Sequence, residues 1–222
     1  MFDPVLLGAG RDADVFALDE GRVLRRYRNG ADVTGEAAIM RYVADRGFPV
    51  PRVDRAEGAD LVMERIDGPT LRAAMAAGDL DLPAGAEILA DLHRRLHDLP
   101  ARPGSGLRTR VVHLDLHPEN VMLGSRGPVV IDWRNARDDQ PDLDVGMTAL
   151  ILAEVVVGDM FGLGALADAV LTAFLDRAPG DPVRLLTSAV AMRRGNPTLS
   201  AEEKGRLASA ATLVRAGYTG LR

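Results

Sequence analysis

The spacing of apolar positions along this chain changes character near residue 68. Through residues 14–28, "DVFALDEGRVLRRYR", short apolar runs flank "DEG", the pattern of two strands joined by a tight turn. A helix follows. Ala37, Met40 and Val43 give it an apolar stripe, Asp32 or Thr34 can cap it, and Gly47 closes it. "FPVPRV" at 48–53 must be extended, because each proline pushes its predecessor out of helical space. "ADLVMERIDG" at 59–68 then reads as a buried strand running into a turn.

From Pro69 onward the spacing is mostly helical. Residues 71–77 form a short helix and residues 84–97 a clearly amphipathic one, through Leu89, Leu92 and Leu96. "VVHL" and "PVVIDW" bracket "NVML", which predicts small strands beneath a loop. After Pro141 the chain reads as helix almost to its end, interrupted at "GDMFG", "RAPGDP" and "RRGNPTLS". The most apolar window, residues 145–157, contains Glu154 and is much shorter than the roughly 20 residues a bilayer requires, so it predicts a buried helix. The fold class expected is α+β: a small β-rich lobe over residues 1–67, ending in a connecting turn near 65–68, and a larger helical lobe over 68–222.

Composition narrows the function. With 222 residues, 47% of them apolar, the chain can bury a sizeable core. Its net charge of -5 argues against a nucleic-acid partner, which calls for a basic face. There is no cysteine, so disulfides and thiolate metal sites are excluded. The start, "MFDPVLLGAGRDAD", lacks a basic segment followed by a long apolar one, so a cytoplasmic protein with no membrane partner is expected.

Three stretches carry candidate chemistry. His93 and His97 lie four apart on a predicted helix, but Arg94 stands where a zinc protease needs glutamate, and a packed histidine pair is the better reading. Gly8 and Gly10 precede the hairpin where bare backbone could approach a phosphate, although Ala13 replaces the third glycine of the usual loop. The third stretch is "HLDLHPENVMLGSRGPVVIDW", residues 113–133. Phosphoryl transfer needs a carboxylate to orient a hydroxyl and hard oxygen ligands to hold magnesium. Asp115, Asn120 and Asp132 are those residue types, in the order His-x-Asp-x-x-x-x-Asn and then an apolar strand ending in Asp.

"HLDLHPENVML" together with "VVIDW" resembles the aminoglycoside phosphotransferase and choline kinase-like family, whose fold is similar to the two-lobed protein kinases. The likeness continues in order through "GRDADVFAL", "RVLRRYR", "GEAAIMRYV", "LVMERIDGPTL", "LADLHRRLH" and "PDLDVG". It implies ATP and magnesium as cofactors, with Asp115 as catalytic base and Asn120 and Asp132 as metal ligands. Arg25 would replace the strand lysine that holds the phosphates, partnered by Glu36; if Arg26 faced the nucleotide instead, strand alternation would turn Arg25 away. The backbone of Glu64 and Ile66 would bind the nucleobase, with Met63 deepest in the pocket. His113 would brace the catalytic loop, Asp144 would anchor it from below, and His117 would shape it.

Two departures stand out. Arg134 occupies a place the family usually gives to an acidic or small residue, and the chain is short in the regions that build substrate pockets, which weakens an inference to a bulky antibiotic. Between Asp132 and Pro141 there is no room for a phosphorylation-controlled loop, so the expected partner is a small hydroxylated molecule rather than a protein. The substrate could be aminoglycoside-like, an amino alcohol or a sugar. Asp138, Asp139, Asp142, Glu154 and Asp159 could form an acidic rim for an amine, or serve as ordinary caps and surface carboxylates. Two rival functions remain: an inert kinase-like nucleotide-binding module, motivated by Arg25 and the thin glycine loop, and a metal hydrolase using "HLDLH".

Overall fold

The computed structural model describes residues 5–106 and 108–220. The opening residues 1–4, part of the segment read for an export signal, lie outside that range. The N-terminal lobe is an antiparallel sheet of β1 (Val5–Ala9), β2 (Ala13–Ala17), β3 (Arg22–Tyr27), β4 (Val53–Glu57) and β5 (Asp60–Glu64), in the order β1-β2-β3-β5-β4, with helix α1 (Thr34–Ala44) between β3 and β4 in the chain. The predicted hairpin around "DEG" is β2 and β3. β1 is an addition: its Val5, Leu6 and Leu7 are exposed, so no buried alternation marks it in the sequence.

The α1 stripe is buried as expected, with Ala37 and Val43 fully so, and Gly47 closes the helix at φ +78°. Its start differs from expectation. Val33 takes the capping position without a side-chain bond, while the Asp32 carboxylate accepts from the Thr34 N–H and hydroxyl just outside the first turn.

The link between lobes is fixed to the C-terminal lobe by backbone contacts. The Leu123 N–H donates to the Pro69 carbonyl at 2.9 Å, and Gly68, at φ +142°, lies so close that a Cβ there would sit 2.1 Å from the Leu123 oxygen. Only glycine fits that approach. Thr70 then caps α2 (Leu71–Ala77), and Asp81 caps α3 (Leu82–His97), whose start precedes the predicted one by two residues because Pro83 is tolerated in a first turn.

Strand β6 (Arg110–Val112) pairs with β9 (Arg137–Asp139), and β7 (Val121–Gly124) forms a hairpin with β8 (Gly127–Val130). β9 carries no apolar pattern and escapes a periodicity reading. α4 (Pro141–Gly158) is the helix predicted from the apolar window. It lies at the centre of the lobe, buried continuously from Leu143 to Glu154, against α5 (Gly164–Arg177), α6 (Leu186–Gly195) and α7 (Ala201–Gly220). Among the described residues no helix is long and apolar enough to cross a membrane.

Candidate active site

The loop after β6 is shaped by one buried carboxylate. Asp144, in the first turn of α4, accepts from the backbone N–H of His113 at 3.0 Å and of Leu114 at 2.6 Å, and is hydrogen-bonded to the His97 ring at 2.9 Å. Burial would raise its pKa, but the bond to His97 and the neighbouring histidines hold it well below the usual carboxylate range. Leu114 has φ +63°, a left-handed conformation costly for a branched side chain, and the two bonds to Asp144 fix it there. The next residue is Asp115, whose side chain is 20% exposed.

Asn120 ties the loop together. Its side-chain amide donates to the Asp115 carbonyl at 2.9 Å and to the Asp115 carboxylate at 3.3 Å. Its own carbonyl accepts from the Ile131 N–H at 2.9 Å, which brings Asp132 alongside. Asp132 has φ +63° and lies two residues past the end of β8. His113 braces this turn, with its Nε2 3.1 Å from the Ile131 carbonyl and its ring against Trp133. His117 is held by the Glu119 N–H, and burial depresses its pKa. His93 and His97 pack ring against ring, and both nitrogens of His93 are engaged by the Leu89 carbonyl and the Thr148 hydroxyl.

On β3, Val23, Arg25 and Tyr27 share one face, and Arg26 points to the other, where it pairs with Asp60 at 2.5 Å. The strand register therefore turns Arg25 inward. Its guanidinium spans two carboxylates: Glu36 of α1 at 3.1 Å and Asp132 at 2.5 Å. Tyr27 donates its hydroxyl to the other oxygen of Glu36 at 2.7 Å. Burial lifts the pKa of Glu36 against the pull of Arg25, whereas for Asp132 the nearby Arg25 overcomes the effect of burial and the pKa falls.

These groups surround one cleft of about 1310 Å³. Gly10, Arg25, Met63, Glu64, Ile66, Asp115, Asn120 and Asp132 all line it. Gly8 does not: it lies in β1 beside a register shift, outside the lining, and Glu36 stands behind Arg25. The Glu64 N–H is engaged by the Arg52 carbonyl, whereas the Ile66 N–H has no backbone partner among the described residues. Of the five carboxylates considered as an acidic rim, only Glu154 lines the cleft. Asp138 pairs with Arg102, Asp139 with Arg137 and Asp142 with Arg184, and Asp159 accepts from the Gly164 N–H.

Two contacts were not anticipated. Arg134 reaches back to Asp12 in the glycine loop and lies over the Tyr27 ring, which accounts for arginine at that departure from the family pattern. Arg193 of α6 enters the cleft from the C-terminal end, with its Nε 2.9 Å from Glu154 and a terminal nitrogen 3.8 Å from Asp115. Nothing in "MRRGNP" signals that placement, because it depends on how α6 crosses α4.

The fold is that of the two-lobed kinases. The sequence pattern of the APH family, "Phosphotransferase enzyme family", matches residues 4–108 and 99–183, and the chain belongs to that family. Similar solved structures include a ternary complex of the aminoglycoside phosphotransferase APH(4)-Ia with AMP-PNP and hygromycin B (16% identity, 97% of this chain and 94% of that one, TM-score 0.60). A choline/ethanolamine kinase family protein from Mesorhizobium loti has 16% identity over 99% of this chain and 93% of that one, with a TM-score of 0.60. The gentamicin complex of APH(2'')-IIa has 14% identity over 95% and 91%, with a TM-score of 0.59. No curated protein matches the chain at a significant level.

Proposed function

We propose that this protein is an ATP-dependent phosphotransferase that moves the γ-phosphate to a hydroxyl group of a small molecule. The observation that carries the reading is the convergence of Asp115, Asn120 and Asp132 on one cleft, with Arg25 bonded to Asp132 from the opposite lobe. The nucleotide-side lobe is taken as residues 1–67 and the acceptor-side lobe as 68–222. The presence of AMP-PNP in the APH(4)-Ia complex supports the nucleotide assignment, and a cytoplasmic setting belongs to the same reading.

Arg25 and the backbone around Gly10 would hold the polyphosphate, and the Glu64 carbonyl and Ile66 N–H would meet the base edge above Met63. Asn120 Oδ1 and Asp132 Oδ2 accept no hydrogen bond among the described residues, and they are the hard oxygen donors magnesium prefers. Bound magnesium would neutralise charge on the phosphates. Asp115 orients the acceptor hydroxyl and takes its proton as the oxygen forms its bond to phosphorus, while ADP leaves with the β–γ bridging oxygen. Asn120, by bonding the Asp115 carboxylate, keeps that acceptor aimed into the cleft. Catalysis of this kind is mostly positioning and electrostatics, which suits groups held by a buried scaffold.

The test is ADP formation over a panel of hydroxylated amines, sugars and lipophilic alcohols. Magnesium-dependent ADP release stimulated by at least one acceptor, with phosphate recovered on that acceptor, is expected. A protein that binds ATP yet transfers phosphate to none of them, nor slowly to water, is an inert module and contradicts the proposal.

A further inference from the structure

The acceptor end of the cleft differs in chemistry from its nucleotide end. On α4, Met147, Ile151 and Val155 recur every fourth residue, so they form one face, and that face lines the cleft. Leu166 of α5 and Met192 of α6 line the same space. Besides Asp115, the carboxylates near it that line the cleft are Glu119, Glu154 and Glu203, and each has an arginine partner: Arg72, Arg193 at 2.9 Å and Arg11 at 2.8 Å. The Glu154–Arg193 pair is nearly buried, with side chains 8% and 16% exposed.

Such a wall is a poor host for a polycation. Each ammonium would have to lose water against methionine, isoleucine and leucine side chains without an unpaired carboxylate to compensate. An apolar surface, by contrast, gains by leaving water there. Arg193 also lies beside Asp115, so the ion pair forms a polar floor under the reacting hydroxyl while the apolar wall is free to take the rest of the molecule.

Building on the kinase reading above, we propose that the acceptor is a hydroxyl compound with an extended apolar face and little or no positive charge. The partly exposed Val155, Leu166 and Met192, backed by the buried Met147 and Ile151, are its specificity surface.

The test is calorimetric titration of methyl, butyl and octyl β-glucoside, below the micellar range, and of kanamycin, into protein saturated with magnesium and AMP-PNP. Affinity for the glucosides should rise by roughly fourfold per added methylene, the value of moving one such group out of water, and kanamycin should bind more weakly than octyl glucoside. In Val155→Asp and Leu166→Asp the rise should disappear while affinity for AMP-PNP is kept, which shows that the variants are folded. A flat series, kanamycin binding more tightly than octyl glucoside, or a rise that survives both substitutions overturns the inference. Phosphate transfer is followed separately: its absence counts against the kinase reading, and the binding series still decides the nature of the wall.

Discussion

Arg25 of β3 and Asp132, 107 positions apart in sequence, are joined by a hydrogen bond of 2.5 Å across the cleft between the lobes. The same guanidinium holds Glu36, so one planar group ties the sheet, α1 and the turn after β8 together. Its fork geometry matters, because a lysine ammonium cannot meet two carboxylates in the same planar fashion.

Arg25→Ala should therefore lose stability as well as nucleotide affinity. Removing the cation leaves the buried Glu36 without its charge partner, a change that costs about 3–5 kcal/mol. Arg25→Lys should recover part of that stability. Urea denaturation of the three proteins checks this, and an alanine variant as stable as the parent would show that the bridge contributes nothing.

Gly68→Ala tests how the link between lobes is held. The added methyl would meet the Leu123 carbonyl oxygen, and the positive φ adds strain. A loss of about 1–3 kcal/mol is expected. Stability equal to the parent's would mean that the link need not lie against β7.

The two most strongly shifted groups in the loop scaffold give acid sensitivity of the same sign. His93 is driven down from 6.5 to about 4 by burial, so folding disfavours its protonation. Stability from this group is complete above pH 6.5 and is lost as pH falls toward 4, by about 3 kcal/mol at most. Asp144, lowered from 3.8, adds a further loss as pH falls below that value. Unfolding free energies measured from pH 7.5 to 4.5 should fall for the parent and change less for His93→Gln. Equal slopes in the two proteins would refute the assignment to His93.

Much of the fold was legible because its strongest signals are local. The α1 stripe, the α3 face and the apolar window of α4 each state their own burial, and Gly47 states a helix end. β1 and β9 were not legible: the first is exposed and the second is "RDD", so their pairing is set by partners distant in sequence. The site divides the same way. Asp115, Asn120 and Asp132 lie within 18 positions of one another, so their spacing could be read directly. The choice between Arg25 and Arg26 needed the register opposite Asp60, and Arg193 needed the packing of α6 on α4.

Asp132→Ala should remove the part of nucleotide affinity that depends on magnesium and leave the metal-independent part. Titrating ATP with and without magnesium measures both. A metal-dependent gain retained in the variant would place the ion elsewhere.

The most direct test of the central claim is the turnover of Asp115→Ala beside its affinity for ATP, measured with an acceptor that the parent phosphorylates. Turnover should fall by roughly 10²- to 10⁴-fold, as for loss of a general base, while ATP affinity stays within about twofold, a shift of less than half a kcal/mol. Undiminished turnover, with the variant folded and binding ATP, would contradict the claim that this carboxylate receives the hydroxyl proton.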